Sequence, residues 1–172
     1  MTNNELQARI LAVSTGDRIT FEEIYRELNK PMYTIVLRIT QDQSLSEDIL
    51  QEIFFKLFQS PPVAAKNPRA YLFQMARNLA IDGIRKRLQF ADLDDFENLV
   101  SLHDVDISEK LTVEEALKTL PLIECQIVSL HINGGLTFKE ISKIIDIPIG
   151  TTLWRYHKAI KQLRLYLTGG AL

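Results

Sequence analysis

The sequence predicts an all-α protein of two helical domains joined by an acidic, flexible linker, the second a helix-turn-helix domain. Three observations predict it. Apolar residues recur at i, i+3, i+4 and i+7 through most of the chain, the period of a helix with one buried face. Only seven glycines and six prolines interrupt 172 residues. The net charge of −2 is gathered into blocks rather than spread evenly.

Residues 1–55 carry net −4, residues 56–87 net +6, residues 88–110 net −6, residues 111–136 net −2 and residues 137–172 net +4. Two basic blocks flanking an acidic one point to a polyanion partner, and the alternative is a solvated helix face. Apolar residues at 46% and charged residues at 24% are ordinary globular composition and exclude a collagen-like, disordered or disulfide-scaffold chain. No stretch approaches the roughly 20 apolar residues of a membrane helix. The polar start from Met1 to Glu5 lacks the basic and apolar regions of a signal peptide. A single cysteine, Cys125, forms no internal disulfide, so a cytoplasmic, reducing location is expected.

The elements follow in order. Residues 20–28 open with a T-x-x-E pair, Thr20 and Glu23, and continue with Phe21, Ile24, Tyr25 and Leu28 on one face. Pro31 is placed to begin the next helix, with Met32, Ile35, Val36 and Ile39 as its stripe. Ser44 or Ser46 caps a third, whose core face is Ile49, Leu50, Ile53, Phe54 and Leu57 and which Pro61 and Pro62 stop. Pro68 opens a long fourth helix with Tyr71, Leu72, Met75, Leu79 and Ile84, in which Gly83 costs about 1 kcal/mol relative to alanine. The acidic stretch 89–111 has no sustained helical period and reads as a linker. Beyond it a short helix spans 113–120. Pro121 restarts the chain for Ile123, Ile127, Val128 and Leu130, and Gly134 and Gly135 end that helix. Thr137 and Glu140 form a second capping box ahead of Ile141, Ile144 and Ile145. A turn at Asp146, Ile147 and Pro148 leads to a last, basic helix over 149–167. Helix, short turn and basic helix is the helix-turn-helix pattern, which plain packed helical pairs also show.

Three blocks resemble the extracytoplasmic-function (ECF) sigma factors, the smallest initiation factors of bacterial RNA polymerase. Residues 47–54, Glu-Asp-Ile-Leu-Gln-Glu-Ile-Phe, are similar to the family's D-x-x-Q-E-x-F segment. Residues 67–87, from Asn67-Pro68-Arg69-Ala70-Tyr71-Leu72 through Ala76-Arg77-Asn78 and Asp82 to Arg85-Lys86-Arg87, resemble N-P-R-A-[YW]-L-x-x-[IM]-A-R-N-x-x-x-D-x-x-R. Residues 136–163 resemble the family's helix-turn-helix. The blocks occur in order and cover about 20–167. The wording of the second also resembles the iron-uptake subgroup.

The resemblance implies a region 2 domain over 1–88, a linker over 89–111 and a region 4 domain over 112–172. The first block would bind the clamp of the polymerase's largest subunit through Asp48, Gln51, Glu52 and Phe55. Carboxylates and an amide on one helical surface suit arginines of a partner helix, and Phe55 suits an apolar pocket. The second block would melt and read the −10 element. Arg69, Arg77, Arg85 and Lys86 supply charge for phosphates, Asn78 a hydrogen bond to a base edge, and Tyr71 or Phe73 a stacking surface. Residues 61–68 match the family's base-capturing loop. Asp82 is expected to pair with Arg85 or Lys86 instead of facing DNA. The third block would read the −35 element through Thr151, Trp154, Arg155, His157, Lys158 and Lys161, with Thr152, Tyr156, Ala159, Ile160 and Leu163 turned inward. The linker would thread a basic channel of the polymerase. The expected partners are core RNA polymerase, including the flap of its second-largest subunit, promoter DNA and an anti-sigma factor, often membrane-bound. No small-molecule substrate is expected.

The chain departs from the family pattern in its last helix. Leu153 and Trp154 stand where polar residues are usual, Pro148 replaces a serine cap, and Asp146 occupies a turn position where glycine is frequent. An exposed Leu–Trp pair suits thymine methyls or a protein partner equally. No catalysis and no cofactor are expected. His103, His131, His157 and Cys125 lack metal-ligand spacing, Asp94 and Asp95 lack companion carboxylates, and Cys125 reads as a small buried residue. Two rival functions stay open here. One is a sigma-like decoy that binds polymerase or an anti-sigma factor without reading DNA. The other is a dimeric helix-turn-helix repressor that binds DNA alone.

Overall fold

A computed structural model describes residues 1–90 and 113–169, and all of its regular structure is helical. The order is α1 (Asn3–Ser14), α2 (Arg18–Thr40), α3 (Gln43–Gln59), α4 (Pro68–Phe90), α5 (Val113–Lys118), α6 (Leu122–Ile132), α7 (Phe138–Ile145) and α8 (Ile149–Leu167). Most of the expected acidic linker, with Asp94, Asp95 and His103, lies outside the described residues.

The first unit holds four helices, though not the four expected. Helix α1 is an addition. Thr2 caps it and Glu5 returns the bond, a complete capping box, and Leu6, Ile10 and Val13 are buried at i, i+4 and i+7. The break expected at Pro31 is absent, because α2 runs through it. An interior proline costs about 3 kcal/mol. Ile24 and Leu28 before it, and Met32, Ile35, Val36 and Ile39 after it, form one buried stripe. Six such side chains at about 1.5–3 kcal/mol each outweigh that cost. The capping pair expected at Thr20 and Glu23 is also corrected. The cap is Asp17, whose carboxylate accepts from both the Thr20 amide and the Thr20 hydroxyl. Neither Ser44 nor Ser46 caps α3. Asp42 does, and buried Ser46 bonds the Asp42 carbonyl instead. A Cβ on Gly83 would lie 3.2 Å from the Leu45 side chain, so glycine permits the close packing of α4 on α3.

In the second unit the expectations match more closely. Thr137 and Glu140 form the capping box of α7, and α8 begins after Pro148. Asp146 adopts the left-handed conformation, φ 61°, that ends α7 and makes the turn. Gly135 is also left-handed after α6.

Helix α6 has almost no solvent face. Glu124 through Leu130 are buried consecutively. Ile127 and Leu130 belong to the core of the first unit, while Cys125 and Val128 join Ala116, Leu117, Leu120, Ala159 and Leu163 in a second, smaller core. The two units are therefore packed together through α6 and α7, not held apart. Cys125 is the buried apolar residue expected, and desolvation raises its thiol pKa.

Candidate partner and nucleic-acid interfaces

Three surfaces carry the residues singled out from sequence. The first lies on α2 and α3. Asp48, Gln51, Glu52 and Phe55 are all exposed on α3, and Phe55 is 59% accessible. Beside them is a groove of about 940 Å³, lined by Phe21, Tyr25, Phe54, Phe55 and Phe58 with Gln51 at its edge. Phe21 meets Phe54 and Phe58 edge-on with ring centroids 6.4 and 5.2 Å apart, so the aromatic floor is fixed by its own packing. Glu52 pairs with Lys56 at 2.5 Å one turn later, an exposed contact of about 0–1 kcal/mol that a partner's arginine can replace. Of the groove's aromatic residues, the sequence singles out Phe55 alone for a partner. Periodicity puts Tyr25 on the core stripe of α2, yet it is 43% accessible and lines the groove.

The second surface is α4. Tyr71, Gln74, Asn78, Asp82 and Arg85 are exposed and fall on one face at spacings of three, four and four, then three. Tyr71, placed on the core stripe by periodicity, is 45% accessible. Phe73, the alternative stacking residue, is fully buried and out of reach of a base. Arg85 meets Asp82 at 3.5 Å, a weak surface pair, and Lys86 is exposed one residue on.

Arg69 and Arg77 lie elsewhere. Arg69 donates from Nε to the Gly134 carbonyl at 2.7 Å and lies over the Phe73 ring at 5.7 Å. Arg77 donates from Nε to Gln126 Oε1 at 2.8 Å and is half-buried, and desolvation lowers its pKa from the usual guanidinium value. Both arginines are thus engaged by the second unit. Arg87, at the basic end of the helix, pairs with Asp42 at 2.5 Å. The loop at 61–68 is held by α1, where Gln7 Nε2 donates to the Val63 carbonyl at 2.8 Å.

The third surface is α8. Thr152, Ala159 and Leu163 are buried as the register predicts, with Tyr156 and Ile160 partly so. Trp154, His157, Lys158 and Lys161 are exposed and Thr151 is half-buried. The Lys158 ammonium sits over the Trp154 ring at 5.3 Å, and that ring is 58% accessible. Arg155 points the other way. Its Nη1 donates to Glu124 Oε1 at 2.7 Å, and Glu124 is 2% accessible. Glu124 Oε2 and Arg155 Nε are buried without a partner, so the pair makes one arm of a possible fork. This guanidinium fastens α8 to α6.

Both helical units match known protein families, in order along the chain. Residues 24–89 match the sigma-70 region 2 model and residues 116–165 the sigma-70 region 4 model. The chain is similar to the ECF RNA polymerase sigma factor SigM of Bacillus subtilis, 31% identical with 84% of this chain and 95% of that protein covered. It is also similar to the ECF RNA polymerase sigma factor SigK of Mycobacterium tuberculosis, 27% identical over 94% of this chain and 93% of that one. Two solved structures share the fold. One is the sigma factor RpoE in complex with the anti-sigma factor NepR from Bartonella quintana, at TM-score 0.69 and 20% identity, covering 86% of this chain and 96% of that one. The other is CnrH in complex with the cytosolic domain of CnrY, at TM-score 0.64 and 14% identity, covering 96% and 98%.

Proposed function

Because the chain belongs to the ECF RNA polymerase sigma factors, and so directs the polymerase to promoters, we propose that its three surfaces divide that task. The α2–α3 face docks on the largest subunit of the core enzyme. Phe55 enters an apolar pocket of the partner, and Asp48, Gln51 and Glu52 engage its arginines. The open face of α4 reads the −10 element as it melts. Tyr71 stacks a base, Asn78 bonds a base edge, and Arg85 and Lys86 meet phosphates. Helix α8 enters the major groove at the −35 element with Thr151, Trp154, His157, Lys158 and Lys161. The division runs between a region 2 domain over 1–88 and a region 4 domain over 112–172.

The observation that carries this reading is the separation of the faces. An aromatic groove with acidic neighbours lies on α2 and α3, a polar and aromatic face on α4, and a basic face on α8. An acidic and apolar surface suits a basic protein, and the other two suit DNA. The structure of RpoE with the anti-sigma factor NepR supports a regulator of that kind for this chain as well. Among the described residues no helix is long and apolar enough to cross a membrane; the proposed cytoplasmic site of action follows from work beside the polymerase. Transcription initiation needs no chemistry from the chain itself, and no catalytic role is assigned to it. Membership of the iron-uptake subgroup is supported by the wording of 67–87 alone.

The test is reconstituted transcription with core polymerase on fragmented DNA of the source genome. New transcript starts sharing spaced −35 and −10 elements are the expected result. Stable polymerase binding without new starts would overturn it in favour of a decoy, a reading that the matches to both DNA-reading regions do not favour.

A further inference from the structure

Trp154 stands in the middle of the outer line of α8. Gly150, Trp154 and Lys161 are exposed at spacings of four and seven, on the side opposite the buried Thr152, Ala159 and Leu163. The Lys158 ammonium, one turn on, lies over the indole at 5.3 Å and leaves most of the ring accessible. One turn before the ring, a Cβ on Gly150 would meet nothing within 4 Å. No side chain stands on that line between the ring and the start of the helix.

A helix in the major groove reads base edges with its N-terminal residues. In α8 the exposed ones are Ile149, Gly150 and Trp154, with Thr151 half-buried. None is the Asn or Gln that pairs with adenine, or the Asp or Glu that accepts from cytosine. Gln162, the one amide of the helix, donates to the Thr119 carbonyl at 3.1 Å. Arg155, the side chain best suited to guanine, is held by Glu124. The indole offers apolar surface and a single N–H donor. The apolar feature that the groove offers in return is the C5 methyl of thymine. Charge selects this occupant over an apolar protein surface. Helix α8 carries Arg155, Lys158, Lys161 and Arg164 and no Asp or Glu. An apolar ring among exposed cations, with no carboxylate on its helix, fits a polyanion that bears apolar groups in its groove.

We infer that Trp154 is the residue of α8 that sets its sequence preference, by packing the indole on thymine methyl groups of the −35 element while Lys158 and Lys161 hold the flanking phosphates. The inference rests on the proposed entry of α8 into the major groove. It names what that helix reads there: thymine, recognised by its methyl and not by its hydrogen-bonding edge.

The test uses holoenzyme and a duplex carrying a promoter defined by transcript mapping. The thymines of its −35 element are replaced by deoxyuridine, which lacks only the C5 methyl, and the rest is unchanged. The expected result is binding weakened about fourfold for each contacted methyl removed. Trp154→Ala should weaken binding to the thymine duplex and make the two duplexes equal, and Trp154→Phe should restore part of the difference. A −35 element without thymine, or a thymine–uracil difference that survives Trp154→Ala, overturns the inference. Equal binding of both duplexes by the parent overturns it too, and the salt dependence of Lys161→Ala then locates the failure. A slope reduced by about one means that α8 lies on DNA and only the role of Trp154 is wrong. An unchanged slope means that the −35 assignment of α8 is itself wrong. Loss of holoenzyme assembly in both Trp154 variants makes the ring a protein contact, and equally overturns the inference.

Discussion

Arg155→Ala distinguishes a helix-fastening arginine from a DNA-reading one. In the folded chain the guanidinium bonds Glu124 at 2.7 Å, with Glu124 at 2% and Arg155 at 31% side-chain accessibility. Removing one partner of a buried ion pair costs about 3–5 kcal/mol, because the remaining charge is left without compensation. Here one bond is made instead of two, and Arg155 is partly solvated, so about 2–3 kcal/mol is expected. At a urea m-value of about 2 kcal/mol/M, that moves the unfolding midpoint down by about 1–1.5 M. Arg155→Ala with Glu124→Gln removes the stranded charge and should recover at least half of the loss. The second assay is −35 duplex binding against salt. A phosphate-contacting arginine takes about one unit of slope with it, whereas a fastening one leaves the slope unchanged. A midpoint within 0.2 M of the parent, or a slope reduced by about one, would refute the assignment to α6.

Three further outcomes follow from other contacts. Asp42 has its pKa lowered by the Arg87 hydrogen bond and by the Leu45 amide. A depressed carboxylate stabilises the fold above its ordinary value of 3.8, and that stability is lost as pH falls through the folded pKa. Asp42→Asn keeps the cap and removes the charge, so it should lose up to about 1 kcal/mol at pH 7, and the difference from the parent should shrink as pH falls below the ordinary carboxylate value, in denaturant titrations. In Gly134→Ala the new Cβ would fall 2.5 Å from the Leu130 carbonyl oxygen, so a loss of about 1–3 kcal/mol is expected by thermal or urea unfolding. Asn78→Ala should impair promoter opening and spare polymerase binding, and Asp48→Ala with Gln51→Ala should do the reverse. Equal loss of both activities in either variant, measured by permanganate reactivity and by co-sedimentation, contradicts the division of faces.

Local signals in the sequence were largely sufficient for local structure. The Thr137–Glu140 box and the basic period of 149–167 located α7 and α8 because caps and stripes are written within a few residues. The same kind of signal marked α1, since Thr2 and Glu5 stand three apart ahead of Leu6, Ile10 and Val13, but the polar start obscured it. Pro31 misled because proline reports a local cost, whereas the stripe on both sides of it is fixed by tertiary burial. The site was legible in type more than in detail. Exposed Asp48, Gln51, Asn78 and Lys158 lie where register puts them. The partners of Arg69, Arg77 and Arg155 are Gly134, Gln126 and Glu124, 65, 49 and 31 residues away, and no periodicity carries such pairings.

Helix α6 sends one polar side chain to each of three neighbours: Glu124 to α8, Ser129 to α2 and Gln126 to α4. With seven consecutive residues buried, it has no face on which sequence can drift freely. A change at any of these positions is felt by an arginine on another helix, so divergence here has to proceed by matched pairs. Relatives that differ from this chain at Gln126 or Ser129 are expected to differ at Arg77 or Arg38 as well. Covariation between those columns would record how long lineages have kept the two units fitted to each other.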